Sequence, residues 1–276
     1  MNPRRRDLLL GAGATFAAGA AAAQTPATLI LDGRFVQGGH AIGRTWPRAL
    51  IFVDGEALTT ASADGVFVVG FDRDAPGSIQ IEARADSRSA SRTLDIAPGL
   101  FPSTRIDGLP PETIAPSDPA LLERIQREAA RKAEGFASRL DADLFKDGFA
   151  WPLASYRISS LWGSQRVLNG TPARPHYGID LAAPQGTPVM APAAGRVTLA
   201  EPDLHFEGGL VLIDHGQGLV TAFLHQSQLN VRAGQDVYRG ETIGLVGMKG
   251  RATGPHLCWR MRWRDRNLDP SLMVKT

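Results

Sequence analysis

From residue 28 onward the chain is cut into short apolar runs by glycine, proline and Asp-Gly turn signals, and one stretch alone carries a helical period. That punctuation confines it to mainly β architecture, because 30 glycines and 19 prolines break helices but suit the turns between strands. In the front part, residues 50–53, 66–71, 79–83 and 93–96 read as strands, with Asp54-Gly55 and Asp64-Gly65 as turns. Residues 24–97 are therefore expected to form a small, immunoglobulin-like β-sandwich. It offers no cluster of His, Cys and carboxylate, and His40 after Gly38-Gly39 reads as a solvated turn residue.

Prolines 102, 110, 111 and 116 disfavour regular structure over 98–117, which reads as an extended linker. Ser117 then opens a connecting helix over 118–140, with Pro119 in its first turn. Leu122, Ile125, Ala129, Ala133, Phe136 and Leu140 make its apolar face, and the pairs Glu123/Arg127 and Glu128/Lys132 lie opposite at i,i+4. Beyond Trp151 the strand pattern returns at 189–191, 196–199, 210–214, 220–224, 242–246 and 257–263. This predicts a second, all-β domain over 151–276, holding every histidine except His40.

The first 23 residues have the shape of a signal peptide: Arg4 to Arg6, then Leu8 to Leu10, an Ala/Gly-rich stretch and an A-x-A-like site at Ala21 to Ala23. The run Arg5-Arg6-Asp7-Leu8-Leu9 resembles a twin-arginine signal, which implies export to the periplasm or cell envelope. A transmembrane anchor fits less well, since the run is weakly hydrophobic and short of a span; no integral span is expected in the mature form. With 30 basic against 28 acidic side chains, three of the former in the leader, the mature protein is near neutral, and nothing suggests a nucleic-acid partner. A single cysteine, Cys258, excludes an internal disulfide.

Cys258 lies two residues after His256, so on a strand both face one way, and His176 and Asp180 also share a face on an extended chain. Zinc accepts imidazole, carboxylate and thiolate alike. The segments His176-Tyr177-Gly178-Ile179-Asp180, Phe223-Leu224-His225 and Gly254-Pro255-His256-Leu257-Cys258, with their glycine framework, resemble the lysostaphin and LytM-type zinc endopeptidases that cut peptidoglycan cross-bridges. The resemblance covers roughly 151–272 and implies a LytM-like antiparallel β domain. It also implies one zinc ion held by His176, Asp180 and the residue at Cys258, where the family has histidine, with His225 and His256 as catalytic pair.

A three-ligand site keeps a position open for water, whose pKa the metal lowers from about 15.7 towards roughly 7. One imidazole can act as general base and the other stabilise the developing oxyanion; His256 suits the first role and His225 the second, although the sequence alone does not fix which does which. A thiolate ligand makes the site neutral where two imidazoles and a carboxylate leave +1, which weakens Lewis acidity. The resemblance therefore supports two functions: a peptidase acting on peptidoglycan peptide cross-links, or a silent domain that binds cell wall or regulates another wall hydrolase. A third reading, Cys258 as a nucleophile with His256, suffers because side chains two apart on a strand lie parallel. His215 reads as a framework residue at a turn, His205 as a solvated loop residue, and Trp162, Tyr177, Phe206 and Trp259 as cleft or core aromatics.

Overall fold

The structure is a computed structural model that describes residues 29–108 and 116–275; the expected leader lies outside the described residues. Seven strands come first: β1 (Ile30–Arg34), β2 (His40–Arg44), β3 (Leu50–Val53), β4 (Glu56–Thr60), β5 (Val66–Gly70), β6 (Ser78–Ala85) and β7 (Arg88–Asp95). They form two antiparallel sheets, β1-β2-β5 and β4-β3-β6-β7. The β3–β4 turn places Asp54 and Gly55 at φ 50° and 84°, the doubly left-handed geometry that matches strand twist and favours Asp-Gly. In β6, Ile79, Ile81 and Ala83 alternate inward with Ser78 and Gln80 outward, as a half-buried strand requires.

His40 departs from the expected solvated turn. It opens β2, is 5 % exposed, and burial, followed by the charge of Arg34, pulls its pKa down to about 4.

The segment expected to be irregular contains a short strand, β8 (Ser103–Ile106). Strand pairing needs only free N–H and C=O groups between the prolines, and even Pro102 contributes, its carbonyl accepting from the Gln165 amide. The helix, α1 (Pro119–Phe136), starts one residue later than expected, capped by the Asp118 carboxylate on Leu121 N–H, and ends four residues sooner. Its inward face also differs: Leu122, Ala129 and Ala133 are exposed, and Glu128 and Gly135 are buried. Polar contacts set this orientation. Glu128 accepts from Arg124 Nε at 2.7 Å and from the His205 amide at 2.9 Å, rather than pairing with Lys132, which reaches Glu207 at 2.6 Å. A Cβ on Gly135 would come within 2.7 Å of Leu212 Cδ1, so glycine there lets the helix lie close on the sheet.

The remaining strands are β9 (Arg157–Ser160), β10 (Gln165–Leu168), β11 (Thr171–Pro172), β12 (Ile179–Ala182), β13 (Pro188–Met190), β14 (Gly195–Leu204), β15 (Gly208–Asp214), β16 (Leu219–Gln226), β17 (Gln228–Leu229), β18 (Asp236–Val237), β19 (Thr242–Leu245), β20 (His256–Trp263) and β21 (Arg266–Leu268). An antiparallel sheet runs β18-β14-β15-β16-β20-β12-β9, with β21 on β20. Two small three-stranded sheets flank it, β13-β19-β17 and β11-β10-β8, the last pair parallel.

β15 and β16 are buried along their whole length because both faces of the sheet are covered. One face, carrying Val211, Ile213, Phe223, Trp259 and Met261, joins a continuous apolar core that reaches back through the front strands to Leu29. The other carries Leu199, Leu212, Val220, Leu224 and Cys258, with Phe136 of α1 against it. Gln217 adds a polar tie, donating to Val66 O at 2.9 Å on strand β5.

His215 sits wholly inside this core, between Ala194 O at 2.7 Å and Thr221 Oγ1 at 2.8 Å, its ring edge-on to Phe149. Burial pulls its pKa down to about 4. In the unfolded chain His40 and His215 bind a proton near pH 6.5, so between pH 6.5 and 4 the unfolded state holds protons that the folded state lacks. Stability therefore falls as pH falls through that window, by about 3 kcal/mol per histidine. Urea unfolding at pH 7 and pH 4.5 is expected to give a markedly lower midpoint at the acid end; equal midpoints contradict this account.

Candidate metal centre

Along β20 the parity of a strand sends Leu257, Trp259 and Met261 into the main core and His256, Cys258 and Arg260 to the opposite face. Its neighbour β12 pairs Asp180 directly with Cys258 and Ala182 with His256, so carboxylate and thiol stand side by side across the ladder. His176 arrives from the loop before β12, anchored by its amide on Ser164 O and its carbonyl on Gly163 N–H. The three donors converge: His176 Nε2 is 3.3 Å from Asp180 Oδ1 and 3.4 Å from Cys258 Sγ, and all lie within 4.8 Å of one another. Gly178 makes room for this, since a Cβ there would stand 2.6 Å from Sγ and 3.2 Å from His176 Nε2.

His225 reaches the same place by a local irregularity. Between Gly209↔Gln226 and Val211↔Phe223, strand β16 carries one more residue than β15, and His225 takes φ 66°. Such a bulge re-aims a side chain. Leu224 stays in the apolar layer while His225 turns into the cleft, its ring 4.7 Å from that of His256. His225 Nδ1 lies 2.8 Å from Lys249 O and His256 Nδ1 2.8 Å from Gly254 O. A carbonyl only accepts, so each neutral ring carries its proton on Nδ1 and keeps a lone pair on Nε2. His256 Nε2 is 3.8 Å from Asp180 Oδ1.

His176 is placed to do likewise: a proton on Nδ1 given to Ser160 Oγ, 3.1 Å away, leaves Nε2 free towards Asp180 and Cys258. Burial works against ionisation of Asp180, yet the contact with His176 and the charges of His176 and His256 outweigh it and hold its pKa at about 2. Burial pushes the Cys258 thiol up to about 12, against the pull of Arg260, whose Nε donates to Sγ at 3.4 Å. Burial, and next the charge of His256, pulls His225 down to about 4.

All five residues singled out in the sequence thus meet around one cleft of about 710 Å³, with Cys258 beneath its floor at 1 % exposure. A buried carboxylate oxygen without a hydrogen bond is costly, and Asp180 Oδ1 is one, although it faces two imidazoles and a thiol. That orphaned oxygen and the imidazole, carboxylate and thiolate donor set both fit a zinc ion. Of the four aromatics weighed, Phe206 alone lines the cleft; Trp162 and Trp259 are core, and Tyr177 packs on Trp162. His205 is half-buried beside Phe206, with ring centroids 4.6 Å apart. Sequence reasoning missed Ser160, Arg166, Arg251 and Arg260 in the cleft. Parity along β20 signals Arg260, but no local pattern signals the other three.

The family profile of Peptidase family M23 matches residues 174–270. A crystal structure from Pseudomonas aeruginosa, described as a peptidase M23, superposes with TM-score 0.68 and 31% identity, covering 87% of this chain and 95% of that one. The cell division protein DipM of Caulobacter vibrioides is 36% identical over 150 residues, 51% of this chain and 24% of that protein. Peptidoglycan DD-endopeptidase ShyA of Vibrio cholerae is 40% identical over 114 residues, 41% of this chain and 26% of that protein. The chain thus spans about a quarter of the length of these curated relatives.

Proposed function

The chain belongs to peptidase family M23, and we propose that it is an exported zinc endopeptidase that hydrolyses peptide cross-links of peptidoglycan. The observation that carries this reading is the convergence of His176 Nε2, Asp180 Oδ1 and Cys258 Sγ beneath a cleft walled by His225 and His256. His176, Asp180 and Cys258 hold the ion in this reading. When bound, zinc supplies Lewis acidity for water and for the scissile carbonyl.

The residues do the rest. His256 Nε2, which carries the lone pair in the tautomer fixed by the Nδ1 contact to Gly254 O, accepts the proton of the attacking water. The positive charge that then develops on His256 faces Asp180 Oδ1 at 3.8 Å. As the C–N bond breaks, the same proton passes to the leaving amine nitrogen. We assign His225 a part other than the oxyanion stabiliser expected from the sequence: neutral at pH 7, with its one N–H on Lys249 O, it has none to donate to an oxyanion, and its Nε2 lone pair accepts a hydrogen bond from the water and orients it. Export to the periplasm rests on the leader alone, and among the described residues no helix is long and apolar enough to cross a membrane.

One observation favours the second reading, a silent domain that binds cell wall or regulates another wall hydrolase: a buried thiol, Cys258, stands at the position where the family has its third ligand histidine. Metal analysis of the mature protein, purified under reducing conditions, together with release of muropeptides from purified sacculi separates the two. The expected result is one zinc per chain and turnover abolished by chelation. Stoichiometric zinc without turnover refutes the enzyme.

A further inference from the structure

Four arginines from four separate segments line the cleft: Arg157 on β9, Arg166 on β10, Arg251 in the loop before β20, and Arg260 on β20. The carboxylates among its lining residues are Asp180 and Glu207, so the four guanidinium groups outnumber them. Glu207 Oε1 takes Lys132 Nζ of α1 at 2.6 Å, and Asp180 faces His176. Arg166 comes only to 3.8 Å of Asp180 Oδ2, too far for a hydrogen bond, while Arg260 is spent on Cys258 Sγ. Arg251 lies across the Phe206 ring, 5.0 Å from its centroid, and partial burial, then the charges of Arg166 and Arg260, lower its pKa. An ion held by the Asp180 carboxylate and a Cys258 thiolate would itself be neutralised. The arginines therefore set the charge of the cleft, and a cleft of one sign concentrates ligands of the other.

We propose that Arg166, Arg251 and Arg157 form a carboxylate-recognition subsite that selects peptides bearing free carboxylates beside the scissile bond, over neutral bridge peptides of the same length. This rests on reading the cleft as a peptidase site. The planar guanidinium fork matches a carboxylate bidentately, which a neutral amide cannot reproduce with equal strength. Of these three, Arg166 comes to 3.8 Å of Asp180 Oδ2 and Arg157 is exposed on its strand, so the subsite extends from the reaction centre outward. Phe206 holds the Arg251 plane and reduces the freedom lost on binding.

The test compares a cross-linked muropeptide dimer carrying free carboxylates with the same dimer amidated at those positions, using the full zinc-loaded chain. Wild type is expected to show a KM about tenfold lower for the free acid, and raising salt should narrow the gap. Arg251→Gln is expected to shrink that preference to near parity, and Arg251→Lys to restore part of it. Arg157→Gln, at an exposed position, gives the same reading if Arg251→Gln fails to fold. Equal KM for both dimers in wild type overturns the subsite and leaves the peptidase reading standing. Should neither dimer be cleaved while calorimetry gives tighter binding of the free acid, the peptidase reading falls and the subsite stands.

Discussion

Replacing Cys258 by serine is expected to strip the protein of zinc, whereas histidine at the same position is expected to keep it. Sulfur contributes as thiolate, and a serine hydroxyl neither ionises comparably nor offers a soft donor, so affinity should fall by about a hundredfold or more. Proton accounting adds a signature. Burial holds the Cys258 thiol at about 12 in the metal-free protein, while Asp180, at about 2, and His176, lowered first by burial, carry no titrating proton at neutral pH. Zinc uptake must then release one proton from Cys258, in addition to any that the metal-bound water gives up, and the thiol alone should raise apparent affinity about tenfold per pH unit between pH 7 and 9. Competition with a chelator across that range, and calorimetry in buffers of different ionisation enthalpy, measure both quantities. In Cys258→His the thiol's share of the slope should vanish, leaving only that of the metal-bound water. Wild-type affinity in Cys258→Ser would remove Cys258 from the ligand set.

The same residue illustrates what the sequence made legible. His256 and Cys258 sharing a face follows from strand parity, and β20 runs as that parity requires. The hairpin at Asp54-Gly55 was legible for a similar reason: only left-handed backbone closes so short a turn. Partners chosen through space were not legible. The helix face was set by Glu128, whose partner His205 is 77 residues away, so Leu122, Ala129 and Ala133 of the apolar stripe point outward while Phe136 stays against the sheet. His225 was placed in the site by resemblance, while the bulge that aims it depends on the register of β15 against β16, which no local pattern encodes. His40 was misread because two glycines before it look like a turn, yet strand β2 begins at the histidine itself.

The bulge matters for the other large effect expected, loss of turnover on replacing either cleft histidine. Neither His225 nor His256 belongs to the converging donor set, so both variants should retain zinc and separate catalysis from metal binding. His256→Gln is expected to lower kcat/KM by about 10²–10⁴-fold, the usual contribution of a positioned acid–base group. His225 sits at φ 66°, so His225→Asn is the cleaner replacement, because asparagine tolerates the left-handed region and the bulge can persist. Its expected loss is smaller, roughly a hundredfold or less, since orienting water contributes less than moving its proton. The pH profile distinguishes the two roles. If His256 accepts the proton, the acidic limb of kcat/KM disappears in His256→Gln and persists in His225→Asn; the reverse pattern would transfer the base to His225. That reversal would require His225 to hold a proton that burial, and the nearby His256, disfavour, whereas His256 has the Asp180 carboxylate 3.8 Å away to share the charge.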